Sequence, residues 1–507
     1  MSGALPLSRV SRWPAWAVAA LVALPLAALV VMALSGLQAG TWAGLVEGGL
    51  WTFAGTSVRL LVVVGFGVAL VGGGTGWITA RFDFPGSRVF GWLLVLPLAM
   101  PGYVVAYAYS DLLQFSGPVQ TTLRESFGWR PREYWFPEIR SLGGAAFLFI
   151  CVLFPYVYLP VRAAVQATPA SLVEAGALTG RSPWAISTRI VLPLAWPALA
   201  GGVILCSMEV LADYGAVAHL AVDTFSVGIY KAWLGYGDRA AAVQLALILL
   251  AIVGALLWLE ARVRGRRRFH GRSVPARPLA PVALRGARAW ACTMACALPV
   301  VLGFFLPLGA LVHVALRDAE THQWARYGKA AWATFSTAGI AAVVIVLVAW
   351  MLAYGARTVN TRTFRALVRV AALGYGVPGA VLAIAILIPL ARFDNLLDAG
   401  VEAWFGVDLG LLLTGSVTAL VYAYVVRFLA VGLSGTEAGF GRISVHVDEA
   451  ARSLGATGLE LARRVHLPLL WRTFLVAGLL VFVDALKELP ATLALRPFDF
   501  ETLATLA

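Results

Sequence analysis

Charge is what this chain has least of. Only 13% of its 507 residues are charged, against 60% hydrophobic, where soluble domains carry roughly 25% charged residues. That balance excludes an ordinary soluble domain. Cysteine is almost absent: Cys151, Cys206, Cys292 and Cys296 all fall in apolar stretches and lack metal-ligand spacing, so they read as small buried hydrophobes. No G-x-x-x-x-G-K-[ST] run occurs, which excludes a P-loop in this chain. Gly72-Gly73-Gly74-Thr75-Gly76 is glycine-rich but has no Lys; inside an apolar run it reads as a site of close helix packing. Period-two alternation is missing too, which argues against a β-barrel.

What is present is a series of long charge-free runs, each near the ~20 residues that span hydrocarbon as a helix. Ten lie at 13–34, 60–80, 89–110, 141–161, 190–208, 240–259, 289–316, 330–356, 370–391 and 409–426. An eleventh starts at Thr473 and meets Asp484, Lys487 and Glu488. The first run is longer than a signal-peptide core and no clear cleavage site follows it, so it reads as a retained helix. The expected fold is an all-α polytopic membrane protein.

The net charge of +13 comes from Arg clustered in particular loops. Residues 261–288 hold nine Arg and no acid; the loops at Arg81–Arg88 and Arg357–Arg369 are basic, and the alternate loops carry Asp394, Asp398, Glu402 and Asp408. The positive-inside rule explains this better than nucleic-acid binding does, and no nucleic-acid partner is expected. Threading the runs on that rule puts the N-terminus, with Arg9 and Arg12, in the cytoplasm.

The chain also repeats itself. Glu174-Ala175-Gly176, Gly180, Ile190 and Leu192-Pro193 recur in the second half, at identical offsets, as Glu449-Ala450-Ala451, Gly455, Val465 and Leu467-Pro468. Met100-Pro101-Gly102 recurs as Val377-Pro378-Gly379. Tyr158 to Arg162 has its counterpart in Tyr422 to Arg427, with ten extra residues before the second Glu. Two tandem repeats follow: 1–260 with six spans, a basic cytoplasmic linker at 261–288, and 289–507 with five spans. Parallel repeats with even span counts are related by an axis along the membrane normal. By analogy with the first repeat, the second lacks its last helix, roughly 30 residues, and truncation is the expected reason.

Local chemistry makes each polar motif two short helices joined by a break. Ser171 and Glu174 have capping-box spacing, Gly180 would close the first helix in a left-handed turn, and Ser182-Pro183 would start the next. In the second copy His446 replaces Ser171, giving a weaker first cap, while Thr457 and Glu460 form a capping box for the second helix. Both copies thread to the cytoplasmic face, each a stiff protrusion suited to a soluble partner.

Glu-Ala-Ala, three residues, Gly, nine residues, Ile, one residue, Leu-Pro resembles the signature loop of permease subunits of ATP-binding-cassette importers. The first copy departs from it at Gly176 and the second at Val465. The chain is similar over nearly its whole length to the fused two-repeat permeases of the ferric-iron importer family, notably at 208–215, Asp223-Thr224-Phe225, 235–239 and 487–492. The resemblance implies a type I importer transmembrane domain in the bacterial inner membrane. It implies a cytoplasmic ABC ATPase dimer, which binds ATP and Mg so that this chain carries no cofactor and is no enzyme, and a periplasmic substrate-binding protein. Glu174, Ala175, Gly180, Leu192, Pro193, Glu449, Ala450, Gly455, Leu467 and Pro468 become the ATPase-coupling positions.

Glu209 and Asp213 follow Pro193 and share one helix face; Asp484 and Glu488 hold the same offsets from Pro468, with Lys487 beside them. Charge in the membrane costs ~2.5–3.5 kcal/mol per residue on insertion scales, so these groups face a bundle interior. With Tyr214 they are candidates for lining a cation pathway, and Tyr103 and Tyr107 could add phenol oxygens; Lys487 neutralising a carboxylate in the headgroup region is the structural alternative. No metal ligands are assigned. Ferric iron is the expected cargo by resemblance; thiamine, sulfate, phosphonate or polyamine permeases are the alternatives. An ion-coupled secondary transporter would not need paired Glu–Gly loops, and a scaffold or receptor explains neither the duplication nor the buried acids.

Overall fold

In the computed structural model, residues 13–35, 44–130, 133–265, 281–317, 323–359, 361–456 and 458–506 are described. Arg9, Arg12 and the middle of the 261–288 linker lie outside the described residues. Nearly all the described residues are helical, and the sheet among them is a single parallel pairing of Phe82–Asp83 with Val282–Ala283. Among the described residues nine helices are long and apolar enough to cross a membrane, and two further helix pairs pass the same test when joined across a bend. The total of eleven agrees with the runs read from sequence.

Two of those runs are not straight. The run at 89–110 breaks at Met100-Pro101, where Ser87–Ala99 and Gly102–Phe127 meet at 89°. Pro101 is extended there (φ −61°, ψ 137°), since proline cannot continue a hydrogen-bonded turn. The run at 141–161 bends by 41° at Pro155.

Two boundaries need correction. The span expected at 370–391 is the helix Gly379–Phe405, after a second Pro-Gly break, and the one expected at 409–426 is Val417–Phe440. Reading between charges misplaces both, because these helices carry charged residues along their own length. Asp394 is 1% exposed and accepts backbone N–H groups of Leu413 and Thr414, so it closes the 406–416 turn from within the helix rather than standing in a loop.

The helices assemble into two compact units. One comprises Ala43–Lys231 and Ala251–His322. Here Leu50–Arg81 packs on Pro155–Gln166 and Leu192–Ala212. The glycine run is the contact surface: a Cβ at Gly72 would collide with the Phe154 carbonyl, and one at Gly76 would lie 3.0 Å from the Tyr158 carbonyl oxygen. The helix through 287–317 packs on Gly102–Leu113, with Tyr109 Oη donating to the Leu302 carbonyl at 2.6 Å.

The other unit comprises Met1–Trp42, Ala232–Leu250 and Gln323–Ala507. Its centre is Trp324–Val359 against Val417–Phe440 and Leu467–Leu486. The helix Trp13–Ser35 lies on its flank, with Trp16 edge-on to Phe364 (5.1 Å between centroids) and Tyr422 Oη donating to the Leu21 carbonyl at 2.6 Å. The compact units are therefore not coextensive with the sequence repeats. The first helix of each repeat packs with later helices of the other.

Candidate functional site

The two polar motifs fold into matching elements. Helices Ala170–Leu178 and Val445–Ser453 start and stop at the same offsets from Glu174 and Glu449. Gly180 (φ +74°) and Gly455 (φ +87°) then turn the chain in the left-handed region, where a side chain would be strained. Short helices Pro183–Ile186 and Gly458–Glu460 follow, then π-helical turns Ser187–Val191 and Leu461–His466, then the long helices from Leu192 and Leu467. The π turns have a local cause. Pro193 and Pro468 remove a backbone donor just inside the long helices, and the preceding residues re-pair one step further back: Leu192 N–H reaches the Ser187 carbonyl and Leu467 N–H that of Ala462.

The caps differ from expectation. Ser171 is not the first cap: the helix begins after Pro169, whose extended backbone starts it, and Ser171 falls in the first turn. In the second copy the cap is Ser444, whose Oγ accepts from His446 N–H at 3.3 Å; the His446 ring instead pairs with Glu449 Oε2 at 3.0 Å. The restart at Ser182 is as read, its Oγ accepting from Ala185 N–H at 3.2 Å. Thr457, of the other expected box, lies outside the described residues.

Glu174, Ala175, Glu449 and Ala450 are exposed, and so are Leu192 and Leu467. Two further residues escape the sequence reading. Leu178 and Leu454, just ahead of the glycine breaks, are each 89% exposed, the most solvent-facing leucines of their elements. An apolar residue one or two places ahead of an αL glycine is the signal that finds them.

The two elements are fastened differently. In the second, Asp448 is a shared acceptor: Arg357 Nε donates to its Oδ2 at 2.7 Å and His466 Nε2 lies 2.8 Å from its Oδ1. His466 is fully buried between the rings of Phe440 and Tyr354. The other Arg357 nitrogens reach the carbonyls of Phe440 and Ile443, and Tyr354 Oη donates to the Gly458 carbonyl at 2.6 Å. Burial works against charge on Asp448, but the hydrogen bonds from His466 and Arg357 outweigh it and hold the carboxyl below its usual range. In the first element the positions of Asp448 and His466 are Val173 and Val191.

The departures from the signature are also local packing. A Cβ at Gly176 would stand 2.8 Å from Ile190 Cδ1. The second copy has Ala451 and Val465 there, so the added methyl and the missing one compensate.

The acids in the membrane segments act on backbone. Asp213 Oδ1 accepts from the N–H groups of Ala216 (2.8 Å) and Val217 (3.4 Å), capping Gly215–His219. Glu488 is 4% exposed and accepts from Ala491 and Thr492 N–H, both at 3.0 Å, capping Pro490–Leu495; Arg427 Nε lies 3.8 Å away. The repeated Pro-Gly breaks meet these carboxylates: a Cβ on Gly102 would sit 3.1 Å from Asp213 Oδ2, and one on Gly379 2.8 Å from Glu488 Oε1. Asp484 pairs with Lys487 at 3.1 Å. Tyr214 packs against Tyr230 at 4.0 Å between centroids, and Glu209 is half-buried. Among the described residues no group of three or more His, Cys, Asp or Glu converges to hold a metal ion.

Residues 72–268, which include the first glycine-broken element and its flanking spans, match the model of the binding-protein-dependent transport system inner membrane component. This segment belongs to that family. The type I importer fold and multi-pass inner-membrane placement follow, and the function at its coarsest is that of an ABC transporter permease subunit. The Fe(3+)-transport system permease protein FbpB 2 of Haemophilus influenzae is 23% identical over 88% of this chain and 82% of its own length. A putative 2-aminoethylphosphonate transport system permease protein, PhnU, of Salmonella choleraesuis is 26% identical over 39% of this chain and 70% of its own. The molybdenum transport system permease protein ModB of Haemophilus influenzae is 26% identical over 37% and 83% respectively. The permease's likeness to FbpB 2 thus runs through both repeats, while the other two match single-repeat lengths.

Proposed function

We propose that the permease moves its cargo inward by alternating access, driven by a separate ABC ATPase dimer that binds ATP and Mg and docks on the two glycine-broken elements. One observation carries this reading. Two surface elements, one in each repeat, share helix bounds, an αL glycine, a π turn and a Leu-Pro helix start. A two-site partner needs that equivalence; lipid contact does not. Exposed Leu178 and Leu454 supply an apolar contact beside Glu174 and Glu449. Stiff continuity from each element into a long helix would pass a push into the membrane. On this reading both elements and the N-terminus face the cytoplasm, and a periplasmic binding protein delivers cargo to the other side.

Ferric iron is the cargo we favour, because a relative that matches both repeats, FbpB 2, is named for it. Phosphonate or molybdate is the second reading, on the relatives matching one repeat. Glu209, Asp213, Tyr214, Asp484, Lys487 and Glu488 are proposed to line the outer part of the pathway, with Asp213 and Glu488 setting its local helices. Uptake of radiolabelled iron by cells carrying the permease with its partners tests the cargo; iron-independent uptake of molybdate would replace it. Glu209→Gln and Glu488→Gln test the pathway: wild-type transport with normal ATPase stimulation would remove it. Co-purification with the ATPase, lost on Gly180→Trp with Gly455→Trp, tests docking.

A further inference from the structure

One unit holds a pocket of about 310 Å³ among the helices Trp13–Ser35, Arg239–Gly265 and Gly379–Phe405. Arg239, Arg392 and Asn395 are its exposed rim, with Trp233 half-buried beside them. Met32, Val243, Leu387 and Ile388 form an apolar floor. Two guanidiniums thus face one cavity whose lining holds no acid, and among the described residues neither carries a hydrogen bond or an ion pair. Like charges gathered in this way repel one another, and an anion between them relieves that cost. The planar fork of Arg matches a phosphate, and an Asn amide adds a donor.

Position narrows the ligand further. Met32 is in the last turns of its helix, Arg239 is the first residue of its own, and Arg392 and Asn395 are past the middle of theirs. The 406–416 turn links that last helix to Val417–Phe440, whose far end leads into the second glycine-broken element. The pocket therefore opens toward the membrane boundary opposite that element. Trp is common at such boundaries, and an apolar floor beneath a cationic rim matches a molecule with a charged head and a hydrocarbon body.

We propose that this pocket binds a phosphate group, supplied by an anionic phospholipid or free in solution. The test is native mass spectrometry of the full chain in mild detergent with phosphatidylglycerol or phosphatidylcholine, beside thermal unfolding in inorganic phosphate. With a lipid source, wild type retains phosphatidylglycerol over phosphatidylcholine, and Arg239→Gln with Arg392→Gln weakens retention on the order of tenfold. With a free source, phosphate raises the unfolding temperature of wild type and not of the Gln pair. Arg239→Lys with Arg392→Lys keeps the charges but loses the fork, and binds between wild type and the Gln pair in whichever arm responds. Should the Gln pair fail to fold, each single Gln variant is expected to lose several-fold. Binding that is indifferent to the arginines with both probes, or a Lys pair as defective as the Gln pair, overturns the proposal.

Discussion

His466 Nε2 and Asp448 Oδ1 stand 2.8 Å apart, and this contact joins the helix Val445–Ser453 to the π turn that leads into the next long helix. Both side chains are buried, and Arg357 closes the network from the end of a third helix. Removing one partner of a buried pair leaves an uncompensated charge, at about 3–5 kcal/mol. Asp448→Asn should therefore lower unfolding stability by that order in detergent, whereas Val173→Asn, at the matching place in the first copy, breaks no ion pair. If the Asp448 variant transports at the wild-type rate with normal ATPase stimulation, the network is structural only.

The same carboxyl sets a pH dependence. Its folded pKa lies below the unfolded value of about 3.9. Its contribution is thus complete above that value and is lost as pH falls through the folded pKa. The stability gap between wild type and Asp448→Asn should be smaller below about pH 4 than at about pH 5. Denaturant unfolding across that range measures it, and a gap that widens toward acid would contradict the assignment.

Gly176 and Ile190 form a size-matched pair. Gly176→Ala should cost about 1–3 kcal/mol through overpacking, and Ile190→Val, which removes the opposing Cδ1, should recover most of it. A double-mutant cycle should show coupling of about 1–3 kcal/mol. Additive effects would mean the two side chains do not compete for that space.

Glu488 combines two backbone bonds with a nearby guanidinium, while Asp213 caps a helix with no ion pair among the described residues. Glu488→Gln should cost about 3 kcal/mol and Asp213→Asn about 1–2 kcal/mol. Thermal unfolding of the two variants checks the order; the reverse order would show that Arg427 contributes little.

The repeat is legible because glycine and proline have fixed backbone meanings, so Gly180, Gly455, Pro193 and Pro468 can be placed from spacing alone. The Arg357–Asp448–His466 network is not. Its members are 91 and 18 residues apart, and His466 follows a polar stretch where burial has no local signature. Span ends at 379–405 and 417–440 escape for a related reason: Asp394 and Arg427 are accommodated by partners that hydropathy does not see. The first cap is misread because Pro169 starts a helix by its backbone alone, without a side-chain acceptor.

The exchanged first helices bear on how the protein must be made. A chain ending at the linker would present the helix Trp13–Ser35 before the surface of Phe364 and Leu21's partner Tyr422 has been synthesised. It would equally leave Tyr109 waiting for Leu302. Either repeat alone would therefore lack these contacts, and the packing of the amino-terminal helix can be completed only once translation has passed Tyr422.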